Sequence, residues 1–122
     1  MGKRILEGGA SMNRRERVAA ALLRLAPRLP DFEAGAVLDR ALASPGLRAA
    51  APETAAWLGL VAYARHVFTE YDALLDDGYD RDSARHFVRD DLNAALGAWG
   101  VRRQISEQEA DDPGGRGADD AF

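Results

Sequence analysis

The 122-residue sequence contains no cysteine, a single lysine (Lys3), only two histidines, and no apolar run longer than the ten residues from Ala55 to Ala64. Without cysteine there are no disulfides, no thiolate zinc ligands and no thiol nucleophile, and the composition suits a reducing compartment, here expected to be the cytoplasm. Ten residues fall well short of the ~20 that a membrane-spanning helix needs, so the run reads as a core helix and no membrane is expected. Missing too are alternating apolar and polar residues with β-branched enrichment, which removes the case for strands. No Gly-rich phosphate loop, serine elbow or zinc-finger spacing occurs. At the start, Lys3-Arg4-Ile5-Leu6 is cut short by Glu7-Gly8-Gly9, where a signal peptide would need a long apolar stretch.

What is present is ordinary globular material, 47% apolar and 30% charged, enough for one core in a chain of this length. The formal charge of −4 is unevenly placed, because Glu107, Glu109, Asp111, Asp112, Asp119 and Asp120 crowd the last stretch with only Arg116 against them. The rest is near neutrality and lacks the basic footprint that nucleic-acid binding leaves.

Helix signals divide the remainder. Asn13 and Glu16 have capping-box spacing, and Val18, Leu22 and Leu25 follow at helical intervals until Pro27 and Pro30. Asp31 is expected to cap a second helix that turns Val37, Leu38, Ala41 and Leu42 inward and stops at Ser44-Pro45-Gly46. Pro52 and Glu53 suit the first turn of a third, apolar nearly all round and therefore central. A short segment at Tyr71–Leu75 ends near Gly78. Asp80 then caps a last helix whose stripe comprises Ala84, Phe87, Val88, Leu92, Ala95, Leu96 and Trp99, with Gly100 as its stop. The spacing predicts an all-α fold, a small antiparallel bundle of about four to five helices. Its domain would span 13–103, between a disordered extension at 1–12 and a disordered acidic C-terminal tail at 104–122.

The densest chemistry is Arg65-His66-x-x-Thr69-x-Tyr71-Asp72, a cation, an imidazole, a hydroxyl, a phenol and a carboxylate within eight residues. As a catalytic set, His66 would be the base, Asp72 its orienter, Arg65 an anion clamp and Tyr71 a proton donor. As a structural set, Arg65 and His66 complement the helix C-terminus, while Thr69 and Asp72 form a capping box for the next segment. The structural reading accounts for these residues with fewer assumptions. Its sharpest expectation is that the Thr69 hydroxyl accepts from the Asp72 amide. His66 with Glu70 is too few ligands for a metal, and His86 is flanked by Asp82 and Asp90 at i−4 and i+4, so no metal or cofactor is expected. The Asp76–Asp82 run lacks the glycine register of a calcium loop. Arg81, Arg85 and Arg89 recur every four residues and form a candidate phosphate-binding face, interleaved with acids that suit local ion pairs.

From Trp57 to Trp99 the chain resembles the bacterial and fungal family of domain of unknown function 2293. The resemblance rests on Arg65-His66, Thr69, Tyr71-Asp72, Leu74-Leu75, Gly78, Arg81, Ala84-Arg85 and Val88. It brings no established activity, and a bacterial source is the expectation. The reading is therefore an interaction or regulatory module, meeting a protein partner or a second copy of itself, rather than an enzyme. Two classes stand as alternatives: nucleic-acid association through Arg81, Arg85 and Arg89, and hydrolase-like chemistry at Arg65, His66, Thr69, Tyr71 and Asp72.

Overall fold

The computed structural model describes residues 12–105. The expectations for residues 1–11 and 106–122 lie outside the described residues. Among the described residues five α-helices follow in order: α1 (Arg14–Leu25), α2 (Asp31–Ala43), α3 (Pro52–Phe68), α4 (Tyr71–Asp76) and α5 (Arg81–Ala98), with a 3₁₀ turn at Pro45–Leu47. No strand occurs among the described residues, so the chain is all-α. No helix of the described residues is long and apolar enough to cross a membrane.

Outside the turn before α4, the local signals act where the sequence puts them, with one exception. Asn13 accepts from the Glu16 amide at 2.8 Å and Glu16 returns the bond at 3.0 Å, completing the capping box of α1. Pro52 opens α3, and Asp80 caps α5 by accepting from the Ser83 amide at 2.7 Å. Gly78 and Gly100 hold φ of 102° and 88°, the left-handed region that lets the chain turn out of α4 and α5. The exception is α2, where Pro30 is the N-cap and Asp31 makes no capping bond. Proline fixes the entry dihedral by itself, and Asp31 then contributes a carboxylate to a first turn that favours negative charge.

α3 is the centre, packed against α1, α2, α4 and α5. From Ala55 to Arg65 all its residues but Leu58 are buried. At Gly59 an added Cβ would lie 2.9 Å from the Cβ of Ala41, so α2 crosses α3 at a distance only glycine allows. The main core joins Val18 and Leu22 of α1, Val37 and Ala41 of α2, Leu60 and Tyr63 of α3, and Leu92 and Leu96 of α5. Fully burying a side chain such as Leu60 contributes about 1.5–3 kcal/mol. α3 and α5 pack together, with Trp57 and Leu60 in one core with Leu92, Leu96 and Trp99.

Two side chains of the predicted α5 stripe differ. Phe87 is 59% exposed, set edge-on to Tyr79 at 5.5 Å, and Val88 packs with Tyr71 and Ala84 in a small cluster separate from the main core. The reason is angular. Ala84, Val88, Leu92 and Leu96 define the buried arc, and at 100° per residue Phe87 falls about 120° from its centre. The boundary of the domain also moves. Residue 104 was expected to begin a disordered tail, yet Ile105 is buried in the main core. Asn93 clips it in place, accepting from its amide at 2.8 Å and donating to its carbonyl at 3.2 Å.

Candidate functional site

The turn from α3 to α4 brings the motif residues together. α3 ends at Phe68, and Thr69 is extended, with φ −134° and ψ 174°. Its hydroxyl donates to the Arg65 carbonyl, one of the last orphan acceptors of α3, and accepts from the Tyr71 amide at 3.1 Å. One side chain thus ties two helix ends. This corrects the expected capping box: the Thr69 hydroxyl serves Tyr71 and not Asp72, and the Asp72 carboxylate turns to His66, 2.6 Å from Nδ1. The carboxylate thus pairs with the imidazole and not with the Thr69 amide.

Around the turn, Tyr71 is 1% exposed and packs on Ala84 and Val88. The Arg65 guanidinium lies 5.6 Å from its ring centroid, and the His66 ring meets its edge at 5.3 Å. Arg65, His66, Thr69, Tyr71 and Asp72 therefore form one cluster. An aspartate on Nδ1 fixes the tautomer that leaves Nε2 as an acceptor, the arrangement of a general base. In this conformation, however, Nε2 is buried and makes no hydrogen bond among the described residues. A substrate approaching from solvent does not reach it. Since Asp72 is more than half exposed, this contact contributes little to stability.

The α5 arginines do not form one solvated track. Arg81 is exposed, Arg89 half-buried, and Arg85 buried beside Ala84 and Val88. Arg85 lies about 40° from the centre of the buried arc, close enough to be drawn inside with it. His66 and Glu70, four apart, do not share a helix face because α3 stops between them. Among the described residues no group of three or more His, Cys, Asp or Glu is placed to hold a metal ion. Elsewhere, the Tyr63 phenol donates to Glu33, and its burial followed by that carboxylate pushes its pKa up to about 12.

A second feature escaped the sequence reading. The end of α1 and the chain that follows α5 enclose a cleft of about 410 Å³, lined by Arg24, Leu25, Pro27, Gly100, Val101, Arg102 and Arg103. Its walls are fixed from several sides. The Arg28 amide donates to the Trp99 carbonyl at 2.9 Å, and the Arg28 guanidinium reaches the Gly97 carbonyl at 3.2 Å. At Gly100 an added Cβ would stand 3.1 Å from the Pro27 ring, a tight contact on a backbone of positive φ. The Arg103 guanidinium stacks on Trp57, 4.1 Å from the ring centroid, and Arg24 reaches Glu53 at 3.4 Å. Arg102 is exposed. Three arginines and three apolar side chains thus line the cleft together, with Arg24 paired to Glu53 and Arg103 stacked on Trp57. Arg102-Arg103 directly after a helix stop was the signal available in the sequence.

Comparison with known families matches residues 21–100 to one described as an uncharacterized conserved protein, DUF2293. The match takes in the Arg65–Asp72 turn, α5 and the Arg24 side of the cleft. No curated protein and no solved structure matches the chain.

Proposed function

We propose that this chain, which belongs to the DUF2293 family, is an interaction module that holds acidic polypeptide segments in its arginine-lined cleft. The observation that carries the reading is the convergence of Arg24, Arg102 and Arg103 on Leu25, Pro27 and Val101. Guanidinium groups take carboxylates through paired N–H donors, and concave walls focus their field. The apolar lining suits the backbone and aliphatic parts of a peptide. A carboxylate ligand is favoured over nucleic acid because positive and negative side chains balance across residues 12–105 and the burial of Arg85 breaks the α5 track. Hydrolysis at the α3–α4 turn is disfavoured by the shielding of His66 Nε2. The absence of cysteine suits work in a reducing compartment such as the cytoplasm.

The test is anisotropy of a fluorescein-labelled decaglutamate peptide with the full chain. Binding should weaken as salt rises. Arg102→Glu should lower affinity at least about tenfold, the scale of one lost charge-assisted contact, while Arg81→Glu leaves it unchanged. Equal affinity in Arg102→Glu, or tighter binding of duplex DNA than of the peptide, would overturn the reading.

A further inference from the structure

Two aromatic side chains stand in solvent at the corner between α4 and α5. Tyr79 is 45% exposed and Phe87 59% exposed, and neither joins a core cluster. They meet each other edge-on, 5.5 Å between centroids and 82° between planes, so each still presents ring surface to solvent. Backbone geometry holds them there. The Tyr79 amide donates to the Leu74 carbonyl at 3.1 Å as the chain leaves α4, and Phe87 lies within α5.

The charge beside the rings has one sign. Asp76, Asp77 and Asp80 lie within three residues of Tyr79, and all three are exposed. On α5, at 100° per residue, the exposed Asp91 falls about 40° from Phe87, whereas Arg81, Arg85 and Arg89 fall about 120–160° away. Asp90, about 60° from Phe87, lies 3.9 Å from Arg89 with its side chain 95% exposed. From Asp80 to Asp91 this face runs about 16 Å, enough for several residues of a bound segment. Phosphate backbones and other anions are repelled from such a surface. A guanidinium finds both of its preferred contacts there, a ring face to stack on and carboxylates to donate to.

We propose that the Tyr79–Phe87 pair and its flanking aspartates form a docking surface for an arginine-bearing segment of a partner protein. Arginine suits it better than lysine, because a planar guanidinium stacks and donates through a fork, while an ammonium is a strongly hydrated point charge. The surface shares no residue with the arginine cleft, so the two readings stand or fall separately.

The experiment titrates the ¹⁵N-labelled full-length protein with decaarginine at physiological salt, and with decalysine for comparison. Amide shifts should change at Tyr79, Ser83, Phe87 and Asp91, and decaarginine should saturate them at lower concentration than decalysine. Phe87→Ala and Tyr79→Ala should each weaken the affinity read at Ser83 and Asp91 about fivefold, the scale of one exposed cation–π contact. Phe87→Leu keeps apolar bulk without the ring and should weaken it as much. Phe32→Ala removes an aromatic side chain 80% exposed on α2 and should leave it unchanged. Thermal melts check that each variant keeps the fold, as the exposure of both rings predicts. Equal affinity in wild type, Phe87→Ala and Phe87→Leu overturns the proposal, as do shift changes confined to the acidic residues after Ile105. Shifts at Phe87 that depend on protein concentration without peptide would make a second copy the occupant and overturn it too.

Discussion

Thr69→Ala removes a single oxygen that joins two helix ends, and the structure says what that oxygen contributes. In the wild type it satisfies the Arg65 carbonyl at the close of α3 and the Tyr71 amide at the opening of α4. A lost cap costs about 1 kcal/mol, and a second partly buried bond adds a comparable amount, so the variant should be less stable by about 1–2 kcal/mol. For a folded unit of this size that is a fall in Tm of about 4–16 °C. Urea unfolding should show a lower midpoint at unchanged slope, since the same surface is exposed. Thr69→Ser keeps the hydroxyl and should recover most of the loss. The reasoning is refuted if Ala changes stability by less than about 0.3 kcal/mol, or if Ser is as damaging as Ala, which would transfer the role to the methyl group.

Two further outcomes follow from packing and ionisation. Leu92→Ala empties a site 2% exposed between α3 and α5 and should cost about 2–5 kcal/mol by urea unfolding, an unchanged midpoint contradicting the core described. The Tyr63 pKa is raised from 10.0 to about 12, so the neutral phenol stabilises the fold fully below pH 10. That contribution is lost as pH rises through about 12. Ultraviolet titration should show a phenol ionising near 12 that Tyr63→Phe abolishes, and no such component in the wild type would refute the assignment.

The helical framework was legible because its signals are local. Asn13 with Glu16, Pro52, Asp80, Gly78 and Gly100 each act within one turn of chain, where sequence spacing is spatial spacing. What failed needed information from further away, or a choice between near-equal partners. Asp72 had the Thr69 amide and the His66 imidazole within reach, and spacing alone does not rank them. Arg85 looked solvated by residue type, yet its angle on α5 places it with Val88. Ile105 stood among polar residues, and the Asn93 clip that retains it comes from twelve positions earlier. The cleft is the extreme case. Arg24 and Arg102 line one cleft because the chain after α1 and the end of α5 are joined by the Arg28–Trp99 bond. No periodicity records that.

The most direct test of the acidic-segment reading is to map where a bound acidic peptide lands. In the ¹⁵N-labelled protein titrated with decaglutamate, shift changes should concentrate on Leu25 and Gly100–Arg103 and vanish at high salt. Changes centred on the Arg65–Asp72 turn, or scattered evenly over the surface, would contradict it.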